Sequence, residues 1–211
     1  MAGNSQAKVR PWKAKQKEQL RQEIIDIAIQ LFEERGFGAV SVDEIAQRTG
    51  IAKGTFYLYF KSKADLIQSV LEKGLALLEA AVFHAIKHGE GDARSDLRNV
   101  MRAQLGFFEE HGYIITLLVS GRGASAGDLP SEVWEELRVR YRAVTTSIYE
   151  GIISRAIGIG AYRQVDAHLA ASILYGIVTG LLYESVDSGR PFPKILDTAL
   201  DVFEKGVNRV A

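Results

Sequence analysis

A chain of 211 residues, 47% hydrophobic and 25% charged with only four prolines, can bury a real core and is not a disordered polypeptide. It has no cysteine, which excludes disulfides, thiolate zinc sites and thiol redox sensing and makes an intracellular location the default expectation. The formal charge is zero, yet residues 1–65 hold eleven Lys/Arg against eight Asp/Glu, an imbalance that permits a nucleic-acid partner at that end without requiring one.

Residues 1–17 contain Lys8, Arg10, Lys13, Lys15 and Lys17, no acid and little apolar periodicity. They read as a flexible basic arm, either a solvated tail or a segment that follows a nucleic-acid groove. From Leu20 onward, Leu20, Ile24, Ile27 and Leu31 recur every three or four residues, the apolar stripe of a helix. Gly36 suits the left-handed position just past that helix, with Phe37 placed to pack back on Phe32. Ser41 and Glu44 form a capping box, in which the hydroxyl takes an orphan amide and the carboxylate reaches back to the cap amide; Val40 and Ile45 supply the hydrophobic staple. A second helix is therefore predicted from Val42, ended by Gly50. A three-residue turn over 50–52 leads to a short third helix from Lys53 to about Phe60, and Ser62 with Asp65 opens a fourth. The fourth is long, because Ile67, Val70, Leu71, Leu75, Leu78, Val82 and Ile86 keep a helical period to Gly89. Further helices are predicted at about 95–109, 113–120, 129–157, 166–187 and 194–209, separated by glycine-rich punctuation. Alternating strand patterns and internal repeats are missing, so the fold class is all-α. The most membrane-like run, Leu169 to Tyr183, is interrupted by Ser172, Gly176, Thr179 and Gly180 and falls short of the roughly 18 apolar residues a span requires; it is expected to be a buried helix. No secretory-signal pattern opens the chain, and a cytoplasmic location is expected.

Two short capped helices joined by a tight glycine-containing turn form a helix-turn-helix, whose second helix lies in the major groove of DNA. On the third helix Phe56 and Phe60 lie four apart and face inward, leaving Lys53, Thr55, Tyr57 and Tyr59 to present a cation and three hydroxyls outward, groups suited to phosphates and base edges. The run from Ile24 to Ile67, above all KGTFYLYFKSKADL from Lys53 to Leu66, resembles the DNA-binding domain of the tetracycline-repressor (TetR) family. The resemblance covers about residues 18–78; beyond it only the helix layout matches. It implies a basic arm at 1–17, a helix-turn-helix domain at 18–78 and a helical ligand-binding and dimerisation domain at 79–211. It also implies a homodimer on palindromic double-stranded operator DNA, with Ser41, Lys53, Gly54, Thr55, Tyr57, Tyr59 and Lys63 at the DNA-contacting positions. Gly54 would let the backbone come close to phosphate. Ala52 departs from the pattern, standing where a Ser or Thr often caps the third helix and touches phosphate.

His84 and His88 have metal-ligand spacing, but no Cys, Asp or Glu joins them, and a solvated helix end is the better account; no metal and no cofactor are expected. Gly176 and Gly180 form a small-xxx-small pair, which packs a core tightly or, as the resemblance implies, lies at the dimer contact. Phe107, Arg122, Trp134, Arg138, Tyr141 and Tyr175 are candidates to line a pocket for a small-molecule effector. The residues show no nucleophile elbow, P-loop or dinucleotide fingerprint, which speaks against an enzyme. A ligand-gated repressor is the leading functional expectation, ahead of a constitutive DNA-binding or architectural protein and, third, an enzyme on a helical scaffold.

Overall fold

The computed structural model describes residues 9–87, 93–112, 131–188 and 192–207. Among them are eight helices: α1 (Val9–Arg35), α2 (Val42–Thr49), α3 (Lys53–Phe56), α4 (Lys63–Lys87), α5 (Ala93–Glu110), α6 (Ser131–Gly158), α7 (Ala167–Ser188) and α8 (Phe192–Val207). The all-α expectation is met, whereas the helix expected at 113–120 lies outside the described residues. Packing divides the chain within α4 into one unit that ends at Val70 and a second that starts at Leu71, ahead of the boundary expected after residue 78.

In the first unit the buried stripe of α1 is wider than the sequence spacing suggested: Ile24, Ile25, Ala28, Leu31 and Phe32 are all buried, while Leu20 and Ile27 are half-buried. Helix α1 also starts earlier than expected. Residues 9–17, read above as part of a flexible arm, are helical, and only 1–8 lie outside the described residues. Pro11 is compatible with this because the first turn of a helix needs no intrahelical amide donors. Gly36 takes φ 76° as expected, its amide donates to the Phe32 carbonyl at 2.8 Å, and the Phe32 and Phe37 rings stack with centroids 4.4 Å apart. A contact of this size between two fully buried rings adds roughly 1 kcal/mol to their area burial and sets the angle at which the chain enters α2.

The second unit is built from α5 to α8 and the later turns of α4, where Leu71, Leu75, Leu78 and Val82 are buried and Glu79 pairs with Arg140 of α6 at 3.5 Å. Gly160, at φ 75°, turns the chain after α6, and the Asp166 carboxylate caps α7 by accepting from the Leu169 amide at 2.9 Å. Helix α7 is not the buried helix expected from its composition. Ala170, Ala171, Leu174, Val178 and Leu182 are buried, but Leu169, Ile173, Gly176, Gly180 and Tyr183 form an exposed stripe on the other side. Its window Ala167–Glu184 is long and apolar enough to cross a membrane by composition, with 28% of it buried.

Candidate nucleic-acid interface

Helix α2 starts at Val42 with Ser41 as its cap: Ser41 is extended (φ −98°, ψ 157°) and its Oγ accepts from the Glu44 amide at 3.2 Å. The other half of the expected capping box is different, because the Glu44 carboxylate is engaged by the Arg35 guanidinium at the end of α1. That ion pair fastens α2 to α1 and still leaves an acid in the first turn, where the helix dipole favours it. Gly50 closes α2 at φ 74°, and the Ile51 amide donates back to the Ala46 carbonyl at 2.9 Å. Only a residue at ease with positive φ makes this turn without strain.

Helix α3 is shorter than the expected span to Phe60. Regular α-helix covers Lys53–Phe56, after which the Leu58 and Tyr59 amides donate to the Thr55 and Phe56 carbonyls at 3.0 and 2.9 Å, in the tighter i to i+3 pattern. Four aromatic residues among 56–60 have poor helix propensity, and Ala52 makes no side-chain cap hydrogen bond. What holds the segment is burial: Phe56 and Phe60 are 0% and 1% exposed, and their rings lie 5.5 Å apart. Replacing Ala52 with serine is therefore expected to stabilise the unit by about 0.5–2 kcal/mol, since the residue already has the extended cap conformation (φ −71°, ψ 149°). Urea denaturation reads this directly, and an unchanged or lowered midpoint would refute the account of the missing cap.

The residues expected to meet DNA stand around this segment. Lys53 is exposed, with its Nζ 2.7 Å from Asp43 Oδ2; the hydrogen bond and charge of Asp43 raise the lysine pKa and keep it a cation. Thr55 is half-buried, Tyr57 is 48% exposed, and Tyr57 packs edge-on against Phe56 at 5.4 Å. Tyr59 is half-buried beneath Lys17, whose Nζ lies 5.9 Å from the ring centroid. Lys63 is half-buried at the start of α4, next to the cap formed by Ser62 Oγ and the Asp65 amide (3.1 Å). Ser41 and Gly54 are exposed, and a Cβ on Gly54 would meet no atom within 4 Å, so the fold itself makes no demand for glycine there. Four further residues, none of them among the DNA-contacting positions assigned above, stand beside this surface. Leu58 is 72% exposed between Tyr57 and Tyr59; Asp43 holds Lys53; and α1 contributes Lys17 and Arg21, the latter 5.1 Å over the Phe60 ring and bonded to Ser69 Oγ at 2.8 Å. The hydropathy pattern carried a signal only for Leu58, an apolar residue between two tyrosines assigned outward.

Residues 24–70, the span that builds this helix-turn-helix, match the family model described as bacterial regulatory proteins, tetR family. This segment is a tetR-family DNA-binding region. Among its relatives, the transcriptional activator FasR of Mycolicibacterium smegmatis is 29% identical over 82% of this chain and 72% of its own length. The transcriptional regulator EthR of Mycobacterium tuberculosis is 26% identical over 85% of this chain and 83% of its own. The fold is that of FadR from Bacillus subtilis, solved in complex with stearoyl-CoA: TM-score 0.71 and 21% identity over 89% of this chain and 99% of that one. These tetR-family proteins are DNA-binding transcriptional regulators, not enzymes.

In the second unit, the aromatic residues expected around a pocket partly converge. Phe107 meets Phe108 at 6.0 Å between ring centroids, Phe108 meets Tyr141 at 6.1 Å, and Tyr141 meets Tyr175 at 6.0 Å. Trp134 is half-buried on α6. Arg138 points away, exposed and paired with Glu135 at 3.3 Å, because i,i+3 pairing on a solvated helix face costs nothing in desolvation. Arg122 and His88 lie outside the described residues. Gly176 and Gly180 are both exposed on α7, so neither packs the protomer's own core.

Proposed function

We propose that this tetR-family regulator is a cytoplasmic ligand-responsive repressor, a homodimer that binds a palindromic operator through α2 and α3 of each protomer and is released by a small, largely apolar effector held in the second unit. The observation that carries the DNA-binding part is the two-sided character of residues 53–60: Phe56 and Phe60 anchor the segment from below, and Lys53, Thr55 and Tyr57 stand outward from it. A cation and hydroxyls presented from one rigid segment give both phosphate anchoring and base-edge hydrogen bonds. Lys17 extends the same surface onto α1, above Tyr59. The exposed stripe Leu169, Ile173, Gly176, Gly180 and Tyr183 of α7 supports the dimer: its spacing of four and three residues repeats on one helix face, and its two glycines allow close backbone approach. Effector release is supported by α4, one unbroken helix that contributes to both units. A ligand that prefers the DNA-free arrangement shifts the two reading heads away from the roughly 34–36 Å spacing of half-sites. The stearoyl-CoA bound by FadR supports an apolar effector body.

The decisive experiment is operator binding as a function of salt. A dimer that neutralises about eight phosphates should show a slope of log K against log salt of about −7. Thr55→Ala and Tyr57→Ala should each weaken operator binding by about 1–3 kcal/mol with folding unchanged, and Lys17→Ala should weaken binding to all sequences alike and reduce the slope by about one per protomer. Unchanged affinity in both the Thr55 and Tyr57 variants would remove α3 from the interface.

A further inference from the structure

The interior of the second unit contains polar side chains that its packing does not require. Gln104 of α5 and Thr145, Thr146 and Tyr149 of α6 are buried, and Tyr141 of α6 is 4% exposed. Part of this set is internally satisfied: Tyr149 Oη donates to Gln104 Oε1, and Gln104 Nε2 donates toward Thr145 Oγ1 at 3.5 Å, the outer limit of a hydrogen bond. The rest is not. Among the described residues Tyr141 Oη is fully buried without a hydrogen-bond partner, although Thr145 lies beside it, and Thr146 Oγ1 also has none. A buried hydroxyl left unpaired is destabilising, so a core built for packing alone would carry Phe and Val at these two positions.

The chemistry of the cluster specifies what would complete it. Every member is neutral, and burial pushes the phenols of Tyr141 and Tyr149 well above their ordinary values, so both act as O–H donors across the physiological range. Tyr141 lacks an acceptor, and the weak Gln104 to Thr145 bond leaves the amide ready to turn to a better one. The cluster adjoins an aromatic wall, because the Tyr141 ring packs on Phe108 and Tyr175. Among the described residues, Arg155 is committed to the buried Asp96 carboxylate at 2.8 Å, and Arg142 is exposed over the Tyr175 ring. A carboxylate or phosphate driven among these neutral groups would be a buried charge facing only hydroxyls and an amide, a costly arrangement.

We propose that Gln104, Tyr141 and Thr145 form the polar end of the effector site and take a neutral ligand that offers an accepting oxygen, a ketone, ester or amide carbonyl, on an apolar body. This rests on the effector reading given above and adds the ligand's chemical class and the atom that recognises it, Tyr141 Oη.

The test uses the full-length protein with two probes of equal chain length, methyl decanoate and decanoate, and the variant Tyr141→Phe, which removes the hydroxyl and keeps the ring. The wild type should bind the ester at least tenfold more tightly than the acid by calorimetry. Tyr141→Phe should lose about tenfold in ester affinity, the effect of one hydrogen bond, while its ligand-free Tm rises by about 2–4 °C as the unpaired hydroxyl is removed. Equal binding of acid and ester, no ester binding, an unaffected variant affinity, or a lowered variant Tm would each overturn the assignment. Operator affinity measured with saturating ester separates the two levels of the argument. An ester that binds through Tyr141 yet leaves operator affinity unchanged overturns the effector role and leaves the site chemistry standing, whereas mutual weakening by the same factor supports both.

Discussion

Phe56→Ala should destabilise the first unit by about 3–5 kcal/mol and abolish the proposed operator binding, a larger effect than any change on the outward side of the same segment. Phe56 is the only buried residue of α3, is 0% exposed and touches the rings of both Phe60 and Tyr57. Truncating it removes the transfer free energy of a whole aromatic ring and leaves a cavity beneath a helix of four residues that has no side-chain cap. Such a helix is far too short to persist on its own propensity, so it has nothing else to fall back on. Urea denaturation followed by circular dichroism checks this, with Tyr57→Ala as the control. The control should shift its midpoint only slightly, by the one edge-on ring contact it loses, and mainly lose affinity, whereas Phe56→Ala should lose both. A Phe56→Ala protein with a wild-type midpoint would show that α3 is held by something other than its aromatic anchor.

Gly176→Arg combined with Gly180→Arg should convert the proposed dimer to monomer in sedimentation. Both glycines are exposed on one face of α7, and a Cβ at either meets no atom within 4 Å, so the substitutions introduce no clash inside the protomer. Arginine is also the better helix former by roughly 0.8 kcal/mol per site, which should make α7 itself firmer. Across a twofold interface each change is counted twice, placing four guanidinium groups without partners into a desolvated contact at a cost of several kcal/mol. Every 1.4 kcal/mol is about a tenfold loss of affinity, enough to take an ordinary dimer beyond working concentrations. The variant should retain its helical signal and lose operator affinity, because one reading head makes half the phosphate contacts. A dimer that survives both substitutions would move the interface away from this stripe.

How much of this protein was legible in its sequence follows the range of the forces involved. The start and stop of α2, the start of α4, the left-handed glycines at 36 and 50, and the inward placement of Phe56 and Phe60 are set by neighbours within four residues, and the local pattern of caps, glycines and apolar spacing declared them. The early start of α1 escaped because lysine-rich segments look disordered by composition, although lysine is a good helix former once a helix exists behind it to propagate from. The shortening of α3 escaped because propensity and the missing cap had to be weighed against burial, and burial depends on how α2 packs on α3 and on what α1 places over Phe60.

Three things were decided only in the tertiary structure. Glu44 was assigned to its own cap and went to Arg35, nine residues away, since a charge-assisted pair outweighs a neutral amide donor when both are within reach. Helix α7 is apolar on both sides, so composition made it a buried helix; the fold buries one side and exposes the other, and a count of apolar residues cannot say which neighbour a face will find. The polar set of Gln104, Tyr141 and Thr145 joins residues about forty positions apart. Spacing along the chain carries no trace of such a meeting, because helix packing brings these groups together and the low dielectric of the interior then gives each unpaired hydroxyl its energetic weight.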